Sequence, residues 1–421
     1  MNRLLLRDGH VLTMDPLLGD LPCADILVED GRIAAVGPSL VAGDAEVVDA
    51  AGCIVLPGFI DTHRHMWQAV LRGHGADQTL GEYFTVVLGT LGPLLTPHDL
   101  YLGNLLSALS ALDAGITTVQ DISNVGKPTQ DHSDAVVAGL VDAGIRARHS
   151  YGRGTEADLR RLRGQFGGDG SLVTLGLNAE PSGDHSTRRD WALAADLDLP
   201  IALHARGYGT VDRLHRLTGL HHGTVYIHGN GLGGYDLDLI ARSGGALSVA
   251  PAIEMTMGHG LPPFREARAA GVKTSLSTDV EVAAAADMFT QMRAAFQTAR
   301  YAALHQGGSE RDLPTCRQIL EYATIGGARA LGLDGYIGSV TPGKSADLVV
   351  LRADRPGVVP VYDAARTVVS AMDRGDVDSV LVAGTFRKRA GRLTHGSLAS
   401  VLEQADAVRD RLRRECLKGR R

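Results

Sequence analysis

The chain has 421 residues, 44% hydrophobic and 21% charged, a balance that sets aside disordered, collagen-like and coiled-coil readings. Lys+Arg total 42 against Asp+Glu 48, a formal charge of −6, so nothing favours nucleic acid or an anionic lipid surface as a partner. The four cysteines (Cys23, Cys53, Cys316, Cys416) form no C-x-x-C pair, which argues against a disulfide framework or a thiolate zinc site and suits a reducing cytoplasm.

In chain order, residues 1–56 read as short strands joined by Asp8-Gly9 and Asp30-Gly31 turns, the mark of antiparallel hairpins. The opening leucines, soon followed by charge, are too short for a signal peptide. No apolar run reaches the roughly 18 residues of a membrane span. A cytoplasmic protein is expected. From residue 54 the texture changes: apolar runs at 54–60, 116–119, 145–150, 172–177, 201–203, 225–227, 246–249 and 272–276, most of them ending in polar residues, alternate with helical patterns such as 100–114, 187–196, 263–270 and 287–304. Eight strands alternating with helices predict a (β/α)₈ TIM barrel over 57–337. A doubly wound sheet would need a glycine-rich phosphate turn, which is missing. Strand texture returns at 346–351, 377–382 and 385–387, so 1–56 and 338–396 are expected to build one small composite β-sandwich domain. Residues 397–421 predict an amphipathic helix through Leu398, Val401, Leu402, Ala405, Val408 and Leu412, packed on the barrel or a partner subunit. Its basic run (Arg409, Arg411, Arg413, Arg414, Lys418, Arg420, Arg421) reads as a solvated face.

Chemistry concentrates at strand ends. His63 and His65 close the first barrel run, two apart and therefore on one side of a strand. His204 ends the fifth, His228 the sixth and Asp279 the eighth. In a parallel barrel these ends meet at one mouth. Three imidazoles with a carboxylate suit Zn²⁺ with a position open for water, and Fe²⁺ or Mn²⁺ accept the same donors. Bound zinc brings the pKa of its water toward ~7, making hydroxide available for attack. His149, His185 and His259 fall in barrel-top loops as candidate substrate contacts. Trp67, just past the metal pair, offers an aromatic face for a flat ring.

The motif Pro57-Gly58-Phe59-Ile60-Asp61-Thr62-His63-Arg64-His65 resembles the signature of the amidohydrolase superfamily. With Ala114-Gly115-Ile116-Thr117-Thr118-Val119, Ser277-Thr278-Asp279, Asp287-Met288-Phe289 and the stretch from Gly338 to Leu348, the resemblance spans nearly the whole chain. It points to the cytosine deaminase-like and chlorohydrolase/adenosylhomocysteine deaminase-like branch. It implies a metal-bearing barrel with a composite β domain, and pairing of subunits as a homodimer or higher homo-oligomer. It implies that His63, His65, His204 and Asp279 hold one divalent metal, most often zinc. It further implies that Asp279 doubles as the base, that His228 contacts the substrate or the attacking water, and that Trp67 and Gln68 sit at the substrate. The fourth strand lacks the lysine that bridges two metals in binuclear relatives, so a single ion is expected.

The resemblance breaks at one place. Relatives carry a proton-shuttling glutamate three residues after the fifth-strand histidine, and here that position is Gly207. Glu180 and Glu254 are the substitutes on offer as substrate-facing residues. The sequence therefore supports a hydrolase of a C–N bond in a small cyclic or heteroaromatic molecule, deamination first. A metal-dependent lyase, with Arg153 or Arg206 holding a carboxylate, and a relict binding protein are the alternatives. Nucleic-acid deaminases with paired cysteine ligands are excluded.

Overall fold

The computed structural model describes residues 3–126, 128–166, 170–305 and 308–418. Eight parallel strands follow one another in chain order around the centre: Phe59–Arg64, Ile116–Ser123, Arg146–Tyr151, Val173–Asn178, Ile201–Ala205, Val225–His228, Ala246–Val249 and Lys273–Leu276. Because helices cover the outside, these strands are largely buried on both faces, as the unbroken burial of Ile116–Ser123 shows. The helices start where local chemistry dictates. Pro97–Asp113 begins with a Thr96/Asp99 capping box and Pro97 at its first position, and then buries a leucine- and alanine-rich face.

The sheet closes on itself. Arg64 bridges in parallel to Asp279, the Asp279 N–H donates to the His63 carbonyl at 2.9 Å, and the His65 N–H donates to the Asp279 carbonyl at 2.9 Å. Across the barrel, the Thr62 hydroxyl lies 2.7 Å from that of Ser248 and 2.8 Å from that of Ser275. The barrel expected from the alternating pattern is therefore present.

The run 54–60, expected as one strand, is two. Cys53–Pro57 pairs with Leu348–Arg352 in a second sheet, and Phe59–Arg64 opens the barrel. The chain crosses at Gly58, where a Cβ would lie 2.2 Å from the Thr117 side chain, so only glycine lets the two strands come this close. The second sheet is mixed and nine-stranded, made from both chain ends. Its hairpin between Asp20–Glu29 and Arg32–Gly37 turns at Asp30 and Gly31, both with positive φ (47° and 78°), as a two-residue turn matched to strand twist requires.

The terminal helix Leu398–Lys418 lies on Pro97–Asp113 with Val401, Val408 and Leu412 buried, and Arg411 pairs with Asp99 at 2.5 Å. Leu402, expected on the apolar stripe, is 50% exposed. Arg420, Arg421 and the Lys418 side chain lie outside the described residues.

One ion pair ties the two sheets together. Arg146, on the third barrel strand, donates to both Asp347 oxygens at 2.7 and 3.0 Å, with 8% and 2% of the two side chains exposed, and its guanidinium stacks over Tyr336. Asp347 also accepts from Ser345 and from the Ala383 N–H. Arg146→Met leaves a buried carboxylate without its cation, and is expected to cost about 3–5 kcal/mol in urea unfolding. The double variant R146M/D347N, which removes both charges, is expected to lose clearly less.

Candidate metal centre and its cavity

The mouth of the barrel gathers side chains from four strand ends. His63 and His65 come from the first strand, His204 from the fifth, His228 from the sixth, and Asp279 from just beyond the eighth. His228 and Asp279 both have left-handed backbones (φ 74° and 61°), which a non-glycine residue adopts only where its surroundings hold it. The holding contacts are visible. Asp279 is pinned by its two backbone bonds to the first strand, and the Gly229 N–H after His228 donates to the Ala205 carbonyl at 3.0 Å.

Below Asp279 lies a buried polar network. Asp61 accepts from the Thr278 N–H at 3.0 Å, from the Thr278 hydroxyl at 2.5 Å and from Arg64 Nε at 2.9 Å. The fully buried Arg64 also reaches the carbonyls of Ser107 and Ala286 and stands 3.5 Å from Glu281. The residues flanking the two histidines thus fix the loop that carries Asp279.

Asp279 Oδ1 is 2.9 Å from His63 Nε2 and 3.7 Å from His65 Nε2, and Asp279 Oδ2 is 3.9 Å from His228 Nε2. Ligand atoms of His63, His65 and Asp279 lie within 4.8 Å of one another, as do those of His63, His204 and His228. Each outer nitrogen of three rings is engaged. His65 Nδ1 donates to the Ile122 carbonyl at 2.9 Å, His204 Nδ1 pairs with Glu180 at 2.5 Å, and His228 Nδ1 with Glu254 at 3.1 Å. Such outer partners leave Nε2 as the inward donor. Burial holds His63, His65 and His228 well below the ordinary imidazole range, so their lone pairs are free for a cation. At His204 burial also opposes the charged form, but the Glu180 carboxylate outweighs it and raises the pKa. Neutral imidazoles packed around one carboxylate are a donor set that fits zinc.

Over this cluster lies a cavity of about 300 Å³, room for a small molecule. Glu180 and His259 line it, together with Tyr83, Asn124, Arg153, Arg206 and Met257. His259 meets His228 edge-on, with ring centres 4.6 Å apart, and neither of its nitrogens has a partner among the described residues. Burial pushes its pKa down to about 4. Other candidates lie elsewhere. Trp67 and Gln68 are buried behind the wall, where Trp67 donates to Asn124 at 2.9 Å and Gln68 to the Tyr83 hydroxyl at 2.7 Å. Glu254 is fully buried beside His228, with its carboxyl pushed up to about 8 by burial. His149 is buried against Asp121 at 2.8 Å, and His185 is exposed on a helix. Sequence reasoning passed over Tyr83 and Asn124. Asn124 directly follows the second strand, which runs to Ser123 and not to 119 as its apolar run suggests. Tyr83 ends a short helix announced by the Thr79/Glu82 capping box.

Gly207 has φ +83°, and a Cβ built there would meet nothing closer than the Thr210 hydroxyl at 4.0 Å. Backbone geometry, not lack of room, is what favours glycine at this place.

The description "Amidohydrolase family" matches residues 54–387. A 5-methylthioadenosine/S-adenosylhomocysteine deaminase of Desulforudis audaxviator (strain MP104C) is 30% identical, over 97% of this chain and 99% of the relative. A zinc-bound adenosine deaminase of Xanthomonas campestris superposes with a TM-score of 0.88 at 24% identity, covering 97% and 98% of the two chains. The atrazine chlorohydrolase of Arthrobacter aurescens TC1, complexed with zinc, superposes at 0.85 and 22% identity, covering 96% and 99%. The sequence match covers both the histidine pair and the aspartate that closes the barrel, and on that ground the chain belongs to the amidohydrolase family.

Proposed function

We propose that this chain is a zinc-dependent hydrolase of a C–N bond in a small cyclic or heteroaromatic substrate, with deamination of an adenine-like ring as its first reaction. One observation carries the reading: the buried imidazoles of His63, His65 and His228 converge on Asp279 at the mouth of the barrel, with the half-buried His204 beside His63 and His228. The deaminase relative that matches almost the entire chain supports it, and gives no support to the lyase or relict alternatives.

In this reading His63, His65, His204 and Asp279 hold the ion. Zinc bound there would supply Lewis acidity, which lowers the pKa of water toward about 7. Asp279 acts as general base for the attacking water, through the oxygen not engaged by His63, and passes the proton to the leaving amine. His228, steadied by Glu254, points Nε2 at the reacting atom. Glu180, the lining carboxylate besides Asp279, takes the ring-directed task that Gly207 cannot perform. His259, Tyr83 and Asn124 contact the ring, and Gln68 and Trp67 act through the last two. The proposal includes a cytoplasmic homodimer. The four cysteines are free, and no described helix is long and apolar enough to cross a membrane. The nearly fully exposed Leu17 and Tyr362 supply apolar surface that a second copy covers, which sedimentation of the purified protein tests.

Asp279→Asn and His63→Ala are each expected to lower ammonia release from adenosine-type substrates by about 10³-fold or more, with an unchanged circular dichroism spectrum. Chelation abolishes the wild-type activity and added zinc restores it. Full activity in the Asp279 variant, or in metal-stripped protein, overturns the reading. Glu254→Ala is expected to lower kcat by about 10–100-fold through disordered His228, with a much smaller change in KM.

A further inference from the structure

Two guanidinium groups stand in the cavity wall with no protein partner. Arg206 lies two residues beyond His204, and Arg153 two beyond the end of the third strand. Neither makes a side-chain hydrogen bond or an ion pair with any described residue. The carboxylates of the same lining are engaged elsewhere, Asp279 with His63 at 2.9 Å and Glu180 with His204 at 2.5 Å. Arg206 is half-buried and Arg153 is exposed at the cavity's edge, whereas Arg64, Arg146 and Arg161 each meet an acid. A guanidinium in a concave site gives up hydration that a planar oxyanion restores through paired N–H donors.

Arg153 is also placed against its own backbone preference. Its φ is +60°, between Gly152 and Gly154. A Cβ at Gly152 would lie 2.4 Å from the Ser123 carbonyl, and one at Gly154 1.8 Å from the Tyr151 hydroxyl. The two glycines let the loop settle onto the strand ends, and the strained residue between them is the charged one that lines the cavity. Arg153 and Glu180 border a second hollow as well, beside Ser182, Ser186 and Arg189, so these two residues stand between the cavity over the histidines and a neighbouring one.

Building on the site as a C–N hydrolase, we propose that its substrate carries an acidic oxyanion, a carboxylate or a phosphate, which Arg206 and Arg153 receive while the ring faces Asp279 and His228. The two arginines are specificity-determining residues that select acidic over neutral forms of the same ring.

The test is calorimetric binding to zinc-loaded wild type, Arg206→Gln and Arg153→Gln, with metal content and oligomeric state measured for each. The probes are matched pairs: benzoate and benzamide, adenosine 5′-carboxylate and 5′-deoxyadenosine, adenosine 5′-phosphate and adenosine. In wild type the acid of a pair binds about tenfold or more tightly than its neutral partner, a difference of about 1.4 kcal/mol, and added salt erodes the advantage. In each variant the acid-to-neutral ratio falls by about fivefold or more. Whether the carboxylate or the phosphate pair shows the larger ratio identifies the anion. The proposal is overturned if wild type shows no acid preference, or if the preference survives both substitutions because the metal itself captures the anion. It is overturned too if the variants change oligomeric state, because the arginines then serve a second copy. Ammonia release is read in parallel. Acid-selective binding with no ammonia from any adenine-bearing probe refutes the deaminase reading and leaves the arginine assignment standing.

Discussion

Two backbone hydrogen bonds, from Asp279 to His63 and from His65 to Asp279, hold the rest of the site together. They close the barrel between its first and last strands, and they also bring the carboxylate beside the histidine pair. Architecture and chemistry are therefore one constraint. A barrel that failed to close here would separate Asp279 from the imidazoles grouped around it. The left-handed backbone of Asp279 follows from the same arrangement, since the chain must turn back over the first strand at that residue. Strain of this kind persists only where neighbouring bonds over-determine it.

The buried network underneath explains why the residues between and before the two histidines are polar. Asp61 and Arg64 are both fully buried, a costly choice unless each charge is answered. They answer one another, and Asp61 also takes both donors of Thr278, the residue immediately before Asp279. Glu281, two residues past Asp279, stands across from Arg64 and also engages Arg72 and Ser107. The loop that delivers the carboxylate is thus clamped on both sides. Packing alone, being non-directional, would not set a side chain to within the few tenths of an ångström that metal coordination demands.

Much of this was legible in the sequence, for a physical reason. A barrel puts its chemistry where apolar runs stop, so His63, His65, His204, His228 and Asp279 stand out as polar residues at the ends of buried strands. Other parts were hidden because their cause is tertiary. Gly58 reads as one turn residue among many until Thr117 is seen pressed against it. The second strand continues past its apolar run through Gln120 and Asp121, both buried and polar, so its true end beside Asn124 left no hydrophobic signature. Glu254 looked like a loop acid that faces substrate. It turns inward because Ala250, Asn230 and His228 offer it donors there. Trp67 and Gln68 sit one layer farther back than their nearness to the histidine pair suggests, bonded to Asn124 and Tyr83.

The departure at Gly207 connects these observations. Its N–H donates to the Asn230 carbonyl at 2.9 Å, which ties the fifth-strand loop to the sixth-strand loop in a left-handed conformation. Asn230 in turn donates through its side chain to Glu254 and to the carbonyls of Gly260 and Leu261, beside His259. A glutamate at 207 would have space but the wrong backbone, and forcing φ negative would break the tie to Asn230. The carboxylate missing from the fifth strand is accompanied by one buried behind His228 and one at Glu180 behind His204. The lining itself is left with two unpaired guanidiniums. The two carboxylates of the lining, Asp279 and Glu180, are each held by a histidine, and two unpaired guanidiniums beside them are complementary to a substrate that brings an acid of its own.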